Sequence, residues 1–324
     1  MKIASIDVFQ VELPYSGGVY RLSHGREYTA FDATIVRVTT DCGLTGWGES
    51  TPFGSNYVAA HAEGVRSGIA EIAPHLLGHD PRHHDRINDA MDRSLVGHWH
   101  AKTPVDVACW DIHGKSTGMP VCDLLGGRID QPLAVISSIH SGSPEDMRTR
   151  VAEHRHKGYR GHSIKIGALD SEGGPLLDAE RIQACMADRR EGEFFLVDAN
   201  GGMTPETALR MINALPDDVD IVLEAPCSSW SETLNLRRRC RLPIVLDELV
   251  DSDQSLISLI REDAADGFGL KISKCGGLTH GRRHRDIGIA AGLTMSIQDT
   301  VGSEIAFAAI LHLGQTVPLC LQPK

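Results

Sequence analysis

Phe195-Leu196-Val197-Asp198-Ala199-Asn200 is a short apolar run ending in a carboxylate, and the pattern returns in Ile221-Val222-Leu223-Glu224-Ala225-Pro226 and Ile244-Val245-Leu246-Asp247-Glu248. Short runs of β-favouring residues bounded by turn formers read as buried strands. Asp198, Glu224, Asp247 and then Lys271, in Gly269-Leu270-Lys271-Ile272, follow one another at intervals of 26, 23 and 24 residues. One strand plus one returning helix fills that length, so this part of the chain repeats a β/α unit with parallel strands.

Working outward, candidate strands lie at 132–138, 162–167, 193–198, 220–224, 243–247, 267–272, 293–298 and 317–321, each of the first seven followed by a helical pattern. Eight strands count to a closed barrel, so the expected fold is α/β, a (β/α)8-type (TIM) barrel. The sequence ends at Lys324, three residues past the last candidate strand, and so leaves no residues for the last barrel helix. Upstream, residues 3–13 and 33–40 have strand composition, and Asp41-Cys42-Gly43 reads as a hairpin turn into Leu44–Glu49. Helical patterns follow at Tyr57–Leu77, Arg82–Leu95 and Thr103–Thr117, the last with Val105, Ala108, Cys109 and Ile112 on one face and Gly118 as its stop. This divides the chain into an α+β capping domain, 1–125, and a barrel domain, 126–324.

Composition narrows the function. A formal charge of −11, with Arg237-Arg238-Arg239 the one basic cluster, argues against nucleic acid or an anionic membrane as partner. No stretch approaches the roughly 20 apolar residues of a membrane helix, and the alternating start Met1–Asp7 lacks a signal-peptide core, so the expected location is the cytoplasm. Eight cysteines without a C-x-x-C pair suggest neither a zinc knuckle nor a disulfide framework.

The chemistry gathers at the strand ends, because carboxyl ends of barrel strands form the mouth where active sites are built. Three carboxylates on neighbouring strands repel one another unless a hard cation neutralises them, and oxygen-only ligation suits Mg²⁺. A helix-cap role stays open for each acid taken alone. Lys165, in His162-Ser163-Ile164-Lys165, and Lys271 flank the trio. A lysine beside a dication and other ammonium groups loses proton affinity and can serve as a general base. His98 and His100 have the spacing of a metal pair, but no third ligand lies near them in sequence.

Lys165, Asp198-Ala199-Asn200, Glu224-Ala225-Pro226, Asp247-Glu248 and Lys271, preceded by Gly46-Trp47-Gly48-Glu49 and Trp110-Asp111-Ile112-His113-Gly114-Lys115, make the chain resemble the muconate lactonizing enzyme subgroup of the enolase superfamily. Thr51–Tyr57, Gly97–Lys102 and Gly302-Ser303-Glu304-Ile305 are most similar to the branch acting on proline derivatives, hydroxyproline-betaine epimerase and cis-3-hydroxy-L-proline dehydratase. The resemblance implies that Asp198, Glu224 and Asp247 hold Mg²⁺, which binds a small-molecule carboxylate and stabilises the enediolate formed when the α-proton leaves. It implies that Lys165 and Lys271, on opposite faces, remove and return that proton, giving epimerisation, racemisation or, with a β-hydroxyl, dehydration. Tyr57 lies in the loop that covers the mouth in this family, and Asp299 is placed to meet the substrate's ammonium. For both, a structural role stays open, as core tyrosine and as helix cap. Family barrels commonly assemble as homo-oligomers.

Three departures from the family pattern stand out. Ser163 replaces the first lysine of a Lys-x-Lys pair, as in the proline-derivative branch. Val301 stands where a tryptophan would face a quaternary ammonium, which removes a contact worth about 1–2 kcal/mol and weakens a betaine reading. The ending lacks the family's closing segment. Dipeptide epimerase and muconate-type cycloisomerase remain alternatives within the enzyme class, and a non-catalytic metal-binding scaffold remains one outside it.

Overall fold

A computed structural model of the chain describes residues 1–323, with His24 described by its backbone alone. In chain order, β1 (Ile3–Pro14), a short pair β2 (Tyr20–Arg21) and β3 (Glu27–Tyr28), β4 (Ala30–Thr40) and β5 (Thr45–Ser50) precede helices α1 (Ala62–Ile72), α2 (His84–Ser94), α3 (Trp99–Thr117) and α4 (Val121–Leu124). Strand and helix then alternate: β6 (Ile136–Ile139), α5 (Pro144–His156), β7 (Gly161–Lys165), α6 (Gly174–Met186), β8 (Phe194–Asp198), α7 (Pro205–Asn213), β9 (Val222–Glu224), α8 (Trp230–Arg237), β10 (Ile244–Leu246) and α9 (Asp253–Glu262). The series closes with β11 (Gly267–Lys271), α10 (Ile272–Cys275), α11 (Leu278–Ala291), β12 (Thr294–Gln298) and α12 (Glu304–Gly314). The chain forms two compact units, one of residues 1–16, 30–131 and 270–321, the other of 17–29, 132–269 and Gln322 onward.

The first unit contains an antiparallel sheet in the order β1-β4-β5. Its expected hairpin is present: Gly43 adopts φ +84° and donates to the Thr40 carbonyl at 2.9 Å, a conformation that costs glycine little. Helix α3 lies on β5 because Gly46 and Gly48 carry no side chain. A Cβ at Gly48 would sit 2.0 Å from the Pro104 carbonyl oxygen, and one at Gly46 2.1 Å from that of Ala108. The core between sheet and helices includes Val36, Val38, Ile69, Ile87, Met91 and Val105, all without solvent exposure. Val105, Ala108, Cys109 and Ile112, expected on one face of α3, are all buried, and burial extends around most of the helix from His100 to Trp110. Polar residues on it find partners within the unit, as when buried Asp106 accepts from Asn88 Nδ2 at 2.7 Å and Thr279 Oγ1 at 2.6 Å.

Glu49, at the end of β5 and 2% exposed, accepts from Ser303 N at 3.0 Å, Ser303 Oγ at 2.5 Å and Thr51 Oγ1 at 2.7 Å. The carboxylate thereby tethers the start of α12, where its charge also favours the helix dipole. Glu49→Ala leaves these donors buried and unpaired, so urea unfolding should show a loss of about 2–3 kcal/mol. A loss under about 0.5 kcal/mol would mean that the tether carries nothing.

In the second unit β6 to β10 are parallel neighbours in chain order, and Gly267 and Phe268 of β11 continue the register beside Val245 and Leu246. Beneath them Arg155 and Glu193 form a buried two-pronged ion pair at 2.6 and 2.8 Å. Seven of the eight candidate strands form. The eighth, 317–321, does not: Pro318 has no amide hydrogen to give a ladder, Leu321 N turns back to the Pro318 carbonyl at 2.9 Å, and Leu319–Leu321 is a 3-10 turn.

Candidate active site

The strand ends carry the residues the sequence singles out. Lys165, Asp198 and Glu224 are the last residues of β7, β8 and β9, and Asp247 follows the last residue of β10. Lys165 is in register with Asp198, Asp198 with Glu224, and Glu224 with Val245. Side chains alternate between faces along a strand, and residues paired in register share a face. Lys165, Asp198, Glu224 and Asp247, two beyond Val245, are therefore brought to one face at one end of the sheet. The three acids are 1–2% exposed.

Asp198 accepts from the Asn200 backbone at 2.8 Å, from Asn200 Nδ2 at 3.1 Å, and from the Lys165 ammonium. Asn200 Nδ2 also reaches Glu248 Oε1 at 3.1 Å. Burial pulls the Lys165 pKa down, but Asp198, Tyr20 and Glu224 outweigh it and hold the ammonium form above the usual lysine value. Asn200, two residues beyond Asp198, and Ala225, next to Glu224, adopt φ of +45° and +41°. A left-handed alanine costs on the order of 1 kcal/mol, and the bonds from Ala225 N to the Val245 carbonyl and from Gly201 N to the Ala225 carbonyl pin it. Among the described residues no three carboxylate, imidazole or thiolate groups stand close enough together to hold a metal ion. The three carboxylates on one buried face of adjacent strands are hard oxygen donors, the type that Mg²⁺ takes.

Lys271, Tyr57 and Asp299 belong to the other unit. The Lys271 ammonium, 6% exposed, donates to the Tyr57 hydroxyl at 2.5 Å and lies 4.9 Å from the centre of that ring. Tyr57 thus sits ahead of α1, not inside it, and its ring packs on Phe53 at 5.3 Å. The N-cap of α12 is Ser303 and not Asp299, which follows β12. Its Oδ2 accepts from Ser273 Oγ at 2.8 Å and its Oδ1 from Thr300 N at 2.7 Å. Burial raises its pKa to about 6, against the opposing pull of Ser273, Thr300 and Lys271. A cleft of about 790 Å³ in this unit, lined by Arg82, His84, Trp110 and Arg282 among others, contains none of these residues.

Sequence reasoning missed Ser273, although it stands two residues beyond Lys271, within reach of the strand-end argument. It also passed over the amide of Asn200, whose bridge from Asp198 to Glu248 depends on a left-handed turn that no periodicity announces.

Residues 21–126 match the mandelate racemase / muconate lactonizing enzyme N-terminal domain, and residues 146–323 match the enolase C-terminal domain-like family. The chain is 42% identical to cis-3-hydroxy-L-proline dehydratase of Roseibium aggregatum, over 98% of this chain and 85% of that protein. It is 32% identical to muconate cycloisomerase 1 of Pseudomonas putida, over 87% and 76% of the two chains. A solved mandelate racemase/muconate lactonizing enzyme homologue from Roseovarius nubinhibens ISM, complexed with magnesium, superposes with a TM-score of 0.98 at 59% identity, covering 99% of this chain and 86% of that one. Domain matches on both halves, the β/α alternation with its N-terminal α+β sheet and helices, and acids and lysine in register at the strand ends agree, and the chain belongs to the mandelate racemase/muconate lactonizing enzyme family of enolase-superfamily enzymes.

Proposed function

We propose that the protein is a Mg²⁺-dependent enzyme that removes the proton α to the carboxylate of a cyclic amino acid and dehydrates a 3-hydroxyproline. The observation that carries this reading is the register of Lys165, Asp198, Glu224 and Asp247 on one buried face. Asp198, Glu224 and Asp247 would hold Mg²⁺, which supplies Lewis-acid neutralisation of the charge that develops on the substrate carboxylate. Lys271 and Lys165 serve as the acid–base pair, the roles that the family resemblance implies for them. One lysine takes the α-proton, the electrons of that C–H bond form the Cα–Cβ double bond, and the β-hydroxyl leaves with a proton as water. Asp299 binds the substrate's ammonium, and Tyr57 orients Lys271 and contacts the ring.

The 42% identity to a cis-3-hydroxy-L-proline dehydratase supports dehydration over epimerisation, and Val301 speaks against a betaine. Residues 1–125 act as the capping domain and 126–324 as the catalytic one. No helix among the described residues is long and apolar enough to cross a membrane. We place the enzyme in the cytoplasm as a homo-oligomer acting on a small carboxylate and not on nucleic acid.

Incubation with Mg²⁺ in D₂O with proline, 3-hydroxyproline, 4-hydroxyproline and their betaines, followed by proton NMR, tests this. The expected result is loss of the 3-hydroxyproline signals to an unsaturated product. Epimerisation of another member of the panel, with 3-hydroxyproline untouched, would replace dehydration by 1,1-proton transfer, and silence throughout would remove the substrate class.

A further inference from the structure

His100, on the first turn of α3, is 6% exposed and forms no part of the acid–base set. Its Nδ1 lies 3.1 Å from Ser50 Oγ, Ser50 Oγ donates to Ser273 Oγ at 3.5 Å, the weakest link, and Ser273 Oγ donates to Asp299 Oδ2 at 2.8 Å. A serine hydroxyl has one proton to give. Ser273 spends its proton on Asp299 and Ser50 spends its own on Ser273, so Ser50 is left to accept from His100. His100 must therefore carry its proton on Nδ1, and every donor along the chain points toward the carboxylate.

The other ring nitrogen supports the same direction. His100 Nε2 is buried and has no hydrogen-bond partner among the described residues. An apolar side chain filling the same space would avoid that desolvation cost, so the imidazole is kept for its other nitrogen. A second proton on the ring is also disfavoured. Burial first, and then Lys274 and Lys271, lower its pKa to about 3, so the ring stays neutral and the tautomer stays fixed.

We propose that His100 is a positioning residue for Asp299, acting through Ser50 and Ser273 to hold that carboxyl ionised and aimed. The proposal deepens the reading of Asp299 as the group that meets the substrate's ammonium, and it rests on that reading for its consequence in activity. Asp299 needs such help because burial lifts its pKa to about 6. The titratable and charged groups acting on it and on His100 are Lys271, Lys274 and Cys275. Donors converging on a carboxylate favour its charged form, and linked donors strengthen one another.

The test follows Asp299 directly. In Mg²⁺-loaded protein labelled with ¹³C at the aspartate side-chain carboxyl, the Asp299 signal is assigned by its loss in Asp299→Asn. His100→Leu should raise the Asp299 midpoint by about half a pH unit. His100→Asn, which offers a side-chain N–H near the Nδ1 position, should return most of that shift. Ser50→Ala, a smaller change that cuts the chain one link further on, should raise the midpoint as His100→Leu does. The acid limb of kcat/KM should move with the midpoint. An unchanged midpoint in His100→Leu and Ser50→Ala, or equal shifts in His100→Leu and His100→Asn, would overturn the proposal. Moved midpoints in a protein that turns over no proline derivative would leave the positioning role standing and remove the substrate reading instead.

Discussion

Lys271→Ala is expected to cut turnover about 10³-fold, the scale of a lost general acid or base, while the protein still folds. The ammonium is 6% exposed and donates to the hydroxyl of Tyr57, so truncation removes a buried cation together with that hydrogen bond. The Tyr57 ring keeps its packing on Phe53 in the variant, which limits the structural cost. The chemical cost is large, because an α-proton leaves only if a base stands where it departs, and water cannot take up that position as an oriented group. Proton NMR in D₂O separates the two costs. The variant should melt near the wild type and yet incorporate no deuterium at the α-carbon of a substrate that the wild type exchanges. Lys165→Ala should lose turnover to a similar degree, and because it also uncovers Asp198 it should cost stability as well. If Lys271→Ala exchanges the α-hydrogen within a few-fold of the wild type, the lysine is not an acid or base here and the mechanism above fails.

Which parts of this arrangement are legible in the sequence depends on the range of the interaction that fixes them. Asp198, Glu224 and Lys271 stand at strand ends because a short apolar run and its polar stop are local signals, and the spacing of the runs reports the intervening helix. The same local signal fails at 317–321, where apolar composition alone suggests a strand but Pro318 and the turn at Leu321 prevent one. It names the apolar residues of α3 but not the burial of Asp106, whose partners Asn88 and Thr279 lie far away in the chain. Tyr57 and Lys271, 214 residues apart, meet through folding, and neither periodicity nor spacing encodes such a pair. Glu49 is conspicuous in its motif, but its task of holding the start of α12 appears only once Ser303 lies beside it.

Asp247→Asn should abolish the stabilisation that Mg²⁺ confers, and this effect can be read without any substrate. Asp198, Glu224 and Asp247 are buried acids on one face, where a divalent ion would meet three hard oxygen donors. An ion that binds the folded state but not the unfolded chain stabilises it by about 2.7 kcal/mol at a hundred times its dissociation constant, which corresponds to a rise of about 5 °C in the melting temperature of a protein this size. Asparagine keeps the shape and one oxygen of Asp247 but removes the charge, so without Mg²⁺ the variant should melt within a few degrees of the wild type. With Mg²⁺ the wild type should rise and the variant should not, and titration calorimetry should show Mg²⁺ affinity reduced at least about 10-fold. Glu224→Gln should behave alike, because the register puts both acids on the same face of the sheet. Equal Mg²⁺-dependent rises in wild type and variant would exclude Asp247 from the ligand set. A rise in neither, in a wild type that still exchanges α-hydrogens in EDTA, would mean that the charge developing on the substrate is neutralised by lysines alone, and Lys165 would then be the group to test.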